Sequence, residues 1–514
     1  MNQPNPMSIE RWAIERPDEV AVVEGESSVT WAELDDLANR VANALKARGV
    51  GEGDIVAMRT RPRLEWAVIA GAIAKLGCAM LGLNFRLTAD ESQHVITDSG
   101  ATVLVCDDED PAAFVSSFTG SALRIAVSIE TPAAGLVSYA DLLQGNADKL
   151  YSKGDPRLII YTSGTTGRPK GVVMNQDAGV DAQTLREFHQ GREGYVRCSD
   201  RDATLINMPF HHAAGPAQFW ASVHHHNKIV LQRRFNPEET LQLIAKHRIS
   251  HWTAVPTMFK RIHALPAATL EQADVSSIGQ IRIGTAPVPL ELKHWILDYF
   301  GEVLHEVYGA SEVGLVSLLL PEMQRTRPAS SGRLLPHVQL QVRDADGNAL
   351  PAGQTGELWV KTPVVIRSYL NAPPLDPDTL DATGFFRTGD VGYMDDEGYL
   401  FITDRVKDMI ISGGVNIYPA EIEAALQKHP AVLDAAVIGI PDDEFGEQVL
   451  AFCELKPGQR TDEATLLAHC VPLLASYKRP RRVEFMEELP RNPMGKLLKR
   501  DLREPYWKNK ERQV

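Results

Sequence analysis

The sequence predicts an α/β protein of at least two domains, and three observations carry that expectation. Its 514 residues exceed what one hydrophobic core usually holds. From residue 54 to residue 105, strand-like and helix-like segments alternate, as in a doubly wound layer. A short apolar run, Leu158-Ile159-Ile160, then reads as a buried strand and leads straight into Y-T-S-G-T-T-G-R-P-K-G at residues 161–171.

Bulk composition narrows the class. Apolar residues make up 44% and charged residues 23%, the balance of a soluble globular chain. A net charge of −14 argues against nucleic-acid partners and against adhesion to an anionic membrane. The five cysteines (Cys78, Cys106, Cys198, Cys453, Cys470) are scattered with no C-x-x-C. Neither a zinc site nor a disulfide framework is expected, and a cytoplasmic location fits. The first ten residues lack a basic stretch followed by an apolar one, so no signal peptide is expected. The most apolar stretch, residues 66–83, is broken by Lys75 and rich in Ala and Gly. It reads as a buried helix, not a membrane span.

In chain order, residues 8–50 read as a helix, a hairpin and a second helix. Thr30 and Glu33 form a capping-box pattern, and Leu37, Val41 and Leu45 share a face. Residues 55–58 and 102–105 are strand candidates. Residues 108–150 are poor in motifs and read as a surface connection. Residues 186–201 read as a solvated excursion. His224-His225-His226 cannot all face one ion and reads as surface or packing. Residues 250–258 fit a buried strand ending at Pro256. Further on, a helix is expected over 420–428, strands over 432–440 and 448–455, and a helix over 462–474.

The loop after Ile160 is built for an anion. Gly164 and Gly167 free the backbone to turn and to aim N–H groups at one small ligand. Ser163, Thr165 and Thr166 add hydroxyl donors, and Lys170 adds charge. The ordinary nucleotide P-loop, G-x-x-x-x-G-K-[ST], does not occur.

The full string resembles the phosphate loop of the adenylate-forming superfamily, which includes acyl-CoA synthetases, firefly-type luciferases and peptide-synthetase adenylation domains. Further motifs follow in that superfamily's order. In N-F-R-L, Arg86 sits where CoA ligases place an arginine on CoA phosphate; a solvated arginine is the alternative. In N-M-P-F-H-H-A-A-G, His212 falls on the aromatic-His-x-x-Gly position, where the ring gates the acid pocket. R-I-G-T-A-P, holding Gly284, Thr285, Ala286 and Pro287, resembles the loop along adenine and acyl group. Thr285 replaces its second glycine and is expected to narrow or re-route the acyl pocket. V-Y-G-A-S-E resembles Y-G-x-T-E: Tyr308 and Gly309 lie at adenine, Ser311 keeps the hydroxyl, and Glu312 offers Mg²⁺ a hard oxygen. G-F-F-R-T-G-D places Asp390 on the ribose hydroxyls.

T-D-R-V-K-D matches the end of the large domain. Asp404 stands where glycine is usual, Arg405 on the ribose and phosphate contact, and Lys407 on the hinge. Gly413 and Gly414 match a strand that lines the pantetheine tunnel. Phe445, Tyr477, Arg479 and Arg481 match a CoA-nucleotide patch, with a solvated turn as the alternative. P-R-N-P-M-G-K places Lys496 as the cation on carboxylate and α-phosphate.

The resemblance spans roughly residues 8–503. It implies an α/β protein with a large N-terminal domain of adenylate-forming type, residues 1–403, and a small mobile α+β lid, residues 404–514. It implies an AMP-forming acid–thiol ligase using ATP, Mg²⁺ and coenzyme A on a hydrophobic carboxylic acid. Lys496, Thr165, Glu312 and His212 are the expected catalytic residues. The phosphate site is Thr162 through Gly167 with Lys170. A monomer or homodimer is expected. Three alternatives stay open: loading of a carrier-protein phosphopantetheine, a luciferase-like oxygenase, and a non-catalytic adenylate-binding module. Ala213-Ala214-Gly215-Pro216 and Thr285 suggest an apolar pocket for a medium-chain, branched, aromatic or polycyclic acid, with no cation placed for a second carboxylate.

Overall fold

The computed structural model describes residues 8–163, 169–174, 179–193, 202–286, 288–412, 415–492 and 495–508. Its opening follows the sequence reading. The hairpin Val20–Glu24 and Ser27–Thr30 feeds the helix Trp31–Ala47. Thr30 caps that helix: its hydroxyl accepts from the Glu33 N–H at 3.2 Å, and its own N–H donates to Glu33 at 2.8 Å.

Two large sheets carry the N-terminal part. A seven-stranded sheet runs in the order Val137–Ser138, Ile125–Ser128, Val103–Cys106, Ile55–Arg59, Ala79–Gly82, Leu158–Ser163, Pro169–Val173. Its strands are parallel except for the last pair, an antiparallel hairpin that pairs Thr162 with Lys170. A nine-stranded sheet has at its centre the parallel strands Leu304–Ala310, Gln280–Ile283, His251–Ala254, Ala203–Ile206 and Lys228–Leu231. The helix Ala214–His224 and the helix Leu64–Leu76 pack into the core between these sheets, where Trp66 stacks on Phe210 at 3.7 Å. A four-stranded antiparallel sheet, Gln339–Arg343 to Leu400–Arg405, follows. The last sheet combines Ile410–Ser412, Val415–Ile417, Val432–Asp442, Gly446–Leu455 and Arg482–Met486 over its own core.

Three expectations need correction. Residues 66–83 are not one helix: the helix ends at Leu76, Gly77 closes it at φ +73°, and Ala79–Gly82 continues as a strand. Lys75 stays within that helix because Asp35 pairs with its buried ammonium at 2.7 Å. Residues 108–150 are not merely a surface connection, since Ile125–Ser128 and Val137–Ser138 extend the seven-stranded sheet. The solvated excursion over 186–201 begins as the helix Ala182–Glu193, anchored by the fully buried Phe188; residues 194–201 lie outside the described set.

The cysteines follow expectation where described. Cys78, Cys106, Cys453 and Cys470 are buried and unbonded, and burial pushes each thiol above its usual pKa. Cys198 lies outside the described residues. The histidine triplet divides among three environments. His224 pairs with Asp155 at 3.0 Å, His225 lines the large cavity, and His226 packs on Trp12 and Trp31. Among the described residues no helix is long and apolar enough to cross a membrane.

Candidate active site

A cavity of about 1860 Å³ opens where the sheets meet. It lies at the carboxyl ends of parallel strands, the usual ligand position in open α/β sheets. Thr162, Lys170, Gly284, Thr285, Gly309, Ser311, Glu312, Arg405, Lys407, Lys496 and His212 all line it. These residues span 335 positions, from 162 to 496, so the fold assembles what the sequence lists in separate motifs.

The hairpin strands Leu158–Ser163 and Pro169–Val173 flank the segment expected to hold phosphate. Gly164, Thr165, Thr166 and Gly167 lie outside the described residues, as do Pro287, Gly413, Gly414 and the side chain of Ser163. The hairpin's flanks are described. The Thr162 hydroxyl donates to Glu312 at 3.4 Å, and the Lys170 ammonium lies 4.9 Å from the Tyr369 ring centroid. The Tyr369 hydroxyl also donates to Glu312 at 3.4 Å. Among the described residues no cluster of three His, Cys, Asp or Glu could hold a metal by itself. One carboxylate beside a hydroxyl fits a Mg²⁺ whose other ligands are phosphate oxygens and water.

Asp390 and Tyr308, expected at the nucleoside, are not part of the cavity lining but form a pair behind Arg405, which is. The buried Asp390 carboxylate accepts from the Tyr308 hydroxyl at 2.7 Å and pairs with Arg405 at 2.9 Å. Burial and Asp390 together hold the Tyr308 phenol far above its usual range. A Cβ on Gly309 would meet the Gly314 carbonyl, so this position in the strand Leu304–Ala310 tolerates only glycine. Gly284 is similarly closed by Val307. Thr285 has φ +73°, a left-handed angle that suits the glycine it replaces and strains a β-branched residue. The exposed Thr285 lines the cavity, and the adjacent Ala286 does not.

His212 is half-buried, and desolvation lowers its pKa to about 4, so it is neutral at ordinary pH. Its ring lies 4.6 Å from His211, and its Nε2 has no hydrogen-bond partner among the described residues. A neutral ring suits gating and packing.

Lys496 enters the cavity from the C-terminal part. Asn492 holds its N–H at 2.9 Å, and Gly495 before it turns at φ +71°. Burial first, then Arg405 and Lys407, lower its pKa from 10.5 to about 8, with Asp390 and Asp408 opposing. Lys407 occupies a single 3₁₀ turn, Val406–Asp408, between the last two sheets.

The residues expected at CoA are not gathered into the cavity lining. Arg86 is exposed beside Phe85. Ser412 pairs with Gly446, which brings exposed Phe445 next to the strand leading into Gly413. Tyr477 and Arg481 are exposed. Arg479 donates to the carbonyls of Val471 and Leu474, both at 2.9 Å, and so binds the end of the helix Glu463–Cys470. A cation stands among the cavity residues that the sequence reading did not place there. Arg282 lines the cavity, against the expectation of no cation there. Strand alternation was the available signal, since Arg282 stands two residues before Gly284.

The comparisons agree with this geometry. The AMP-binding enzyme family matches residues 9–370, and the AMP-binding enzyme C-terminal domain matches residues 421–496. A fatty acid–[acyl-carrier-protein] ligase, ScoC, from Streptomyces coeruleorubidus is 33% identical over 95% of this chain and 93% of its own. An indoleacetate–CoA ligase from Aromatoleum aromaticum is 33% identical over 96% of this chain and 97% of its own. Among solved structures, o-succinylbenzoate CoA synthetase from Bacillus subtilis, in complex with the acyl-adenylate intermediate OSB-AMP, aligns with TM-score 0.81 and 29% identity. That alignment covers 97% of this chain and 98% of the other. Fold, motifs and relatives together make this chain a member of the AMP-binding enzyme family, within the adenylate-forming superfamily.

Proposed function

We propose that this enzyme joins a carboxylic acid to the thiol of coenzyme A, consuming ATP and releasing AMP and pyrophosphate. The carrying observation is that Lys496, Glu312, Thr162 and Arg405 line one cavity. In the first step a carboxylate oxygen attacks the α-phosphorus of ATP, and the bond to pyrophosphate breaks. The acid arrives ionised, so no general base is needed. The Lys496 ammonium offsets negative charge developing on the α-phosphate, and the phosphate loop with Lys170 holds the β- and γ-phosphates. Thr165 belongs to that loop. Glu312 and Thr162 would hold Mg²⁺, which supplies further positive charge against the triphosphate. Asp390 and Arg405 fix the ribose, Tyr308 and Gly309 the adenine, and neutral His212 closes the acid pocket. In the second step thiol sulfur attacks the acyl carbon, the thiol proton leaves to solvent, and AMP departs.

The domain division falls at 403/404, with Lys407 as hinge. Turning the lid there withdraws Lys496 and brings the Gly413–Gly414 strand to the thiol. The separate core under the last sheet supports a lid that moves as a unit. Buried, unbonded cysteines support a cytoplasmic setting.

A second reading, transfer to a carrier-protein phosphopantetheine, draws support from Arg479. Its guanidinium is engaged by helix-end carbonyls and is not presented to a CoA phosphate. A pyrophosphate-release screen over carboxylic acids tests the function, with acyl-CoA followed by mass spectrometry with and without CoA. Acyl-CoA formed only when CoA is present supports the first reading. Release without acyl-CoA supports the second. No release with any acid overturns both.

A further inference from the structure

Tyr369 lines the cavity and touches the two charged groups expected at Mg²⁺ and triphosphate. Its hydroxyl donates to Glu312 Oε1 at 3.4 Å, and its ring centroid lies 4.9 Å from the Lys170 ammonium. The Thr162 hydroxyl donates to the same Oε1, also at 3.4 Å. Both hydrogen bonds fall on one oxygen of the carboxylate, which leaves Oε2 to face a cation.

The hairpin register shows what the ring does for Lys170. Thr162 and Lys170 are direct partners across the antiparallel pair, so their side chains leave the same face, about 5 Å apart at Cβ. Thr162 touches Glu312, which puts Lys170 within side-chain reach of the same carboxylate. Opposite charges that close attract and, once paired, cancel each other. Among the described residues neither Lys170 nor Glu312 is in an ion pair. The ammonium rests instead near the Tyr369 ring, a contact that holds a cation without neutralising it.

The backbone on both sides pins Tyr369 in place. The Ile366 N–H donates to the Glu312 carbonyl at 2.9 Å, and the Leu370 N–H donates to the Gly171 carbonyl at 2.7 Å. Residues 366–370 thus form a strap from Glu312 to the second strand of the hairpin. Asn371, at φ +54°, extends it to the helix Ala89–Ser99, its Nδ2 donating to the Asp98 carbonyl at 2.7 Å. A ring anchored in this way keeps its position without help from the ligand.

Resting on the ligase reading above, we propose that Tyr369 is a positioning residue for the triphosphate: its hydroxyl aims Glu312 at Mg²⁺, and its ring keeps Lys170 off Glu312 and available to phosphate oxygens. An ion pair between Lys170 and Glu312 would have to break before either could meet Mg·ATP. The ring removes that step, so both charges await the ligand in place.

The two jobs separate in calorimetry on the full-length enzyme with three probes: ATP with Mg²⁺, ATP with EDTA, and AMP. Tyr369→Phe keeps the ring and loses the hydroxyl. It is expected to bind metal-free ATP as the wild type does, and to need about fivefold more Mg²⁺ for the half-maximal gain in ATP affinity, the worth of about one hydrogen bond. Tyr369→Leu loses both and lets Lys170 close on Glu312. It is expected to weaken metal-free ATP binding about tenfold, the scale of one charge-assisted hydrogen bond. AMP carries neither β- nor γ-phosphate, so it should bind all three proteins equally, which also shows that the variants are folded. Metal-free ATP held by Tyr369→Leu as tightly as by the wild type overturns the spacing of Lys170. An unchanged Mg²⁺ requirement in Tyr369→Phe overturns the aiming of Glu312. AMP weakened as much as ATP makes Tyr369 a support of the fold alone and overturns the inference, with the ligase reading left standing. A wild type that binds no ATP with Mg²⁺ present overturns the ligase reading and this inference with it.

Discussion

Lys260 and Asp434 meet at 2.8 Å and join two separate cores. Lys260 lies on the helix Pro256–His263, whose Met258, Phe259 and Ile262 pack under the nine-stranded sheet. Asp434 lies on the strand Val432–Asp442 of the last sheet. Arg491 pairs with the same carboxylate and donates to the Gly495 carbonyl at 3.0 Å. One carboxylate therefore ties the large part of the molecule to the loop that carries Lys496. Burial opposes the Asp434 charge, but Lys260 and then Arg491 override it and hold its pKa below the usual range.

Lys260→Met should loosen this orientation without unfolding the lid, because Asp434 keeps Arg491. Adenylation is expected to slow about three- to tenfold, near 1 kcal/mol for a partly buried pair. Acyl transfer from supplied acyl-adenylate should hold or quicken. Rapid-quench measurement of each half-reaction checks this, and equal slowing of both would reduce the pair to a structural contact.

Lys496 makes the reaction pH-sensitive. Its pKa near 8 means that the ammonium is present below that pH and lost as pH rises through it. Because kcat/KM reports the free enzyme, pyrophosphate release should fall with an alkaline limb near pH 8. Lys496→Arg should carry the limb upward even at a lower rate, since guanidinium stays charged. Lys496→Ala should abolish adenylation yet leave transfer from supplied acyl-adenylate largely intact. A wild-type profile flat to pH 9.5 would remove Lys496 from the charge-stabilising role.

The residues that the sequence reading places at the nucleotide could be found because each part is a short string. Thr162 and Lys170, Tyr308 and Glu312, and Asp390 each sit within one motif. The sheet wall of the cavity was not legible in the same way. Thr204, His251 and Gln280 come from three strands whose neighbourhood exists only in the sheet register. Residues 66–83 misled because a buried helix and a fully buried parallel strand carry the same apolar composition. The Asp404 departure also gained meaning only in the fold, where its carboxylate accepts from the Ala420 N–H at 3.1 Å and caps the helix Pro419–Gln427.

Thr285 stores backbone strain at the cavity lining. A β-branched residue at φ +73° costs roughly 1–2 kcal/mol. Glycine recovers that strain but adds unfolded-state entropy of about 0.5–1 kcal/mol. Thr285→Gly should therefore be stabilising by roughly 0.5–1 kcal/mol, the difference of those terms, read as a higher Tm. It should also widen the cavity there and improve kcat/KM for acids branched near the carboxylate. A lower Tm would show that the Thr285 side chain makes contacts worth more than its strain.

Asp404 gives a stability change of defined sign. Burial raises its pKa above the usual carboxylate value, against the opposing pull of Lys499. A carboxyl with a raised pKa binds its proton more tightly when folded, so its stabilising contribution is present below the unfolded pKa, near 4, and lost as pH rises through the folded value. Asp404→Asn keeps the acceptor for Ala420 and never carries the buried charge. The variant should be more stable than the wild type at pH 7, on the order of 1 kcal/mol, and equal to it at pH 3.5. Urea midpoints at both pH values check this. A variant less stable at pH 7 would mean that attraction between Asp404 and Lys499 outweighs the cost of burying the charge.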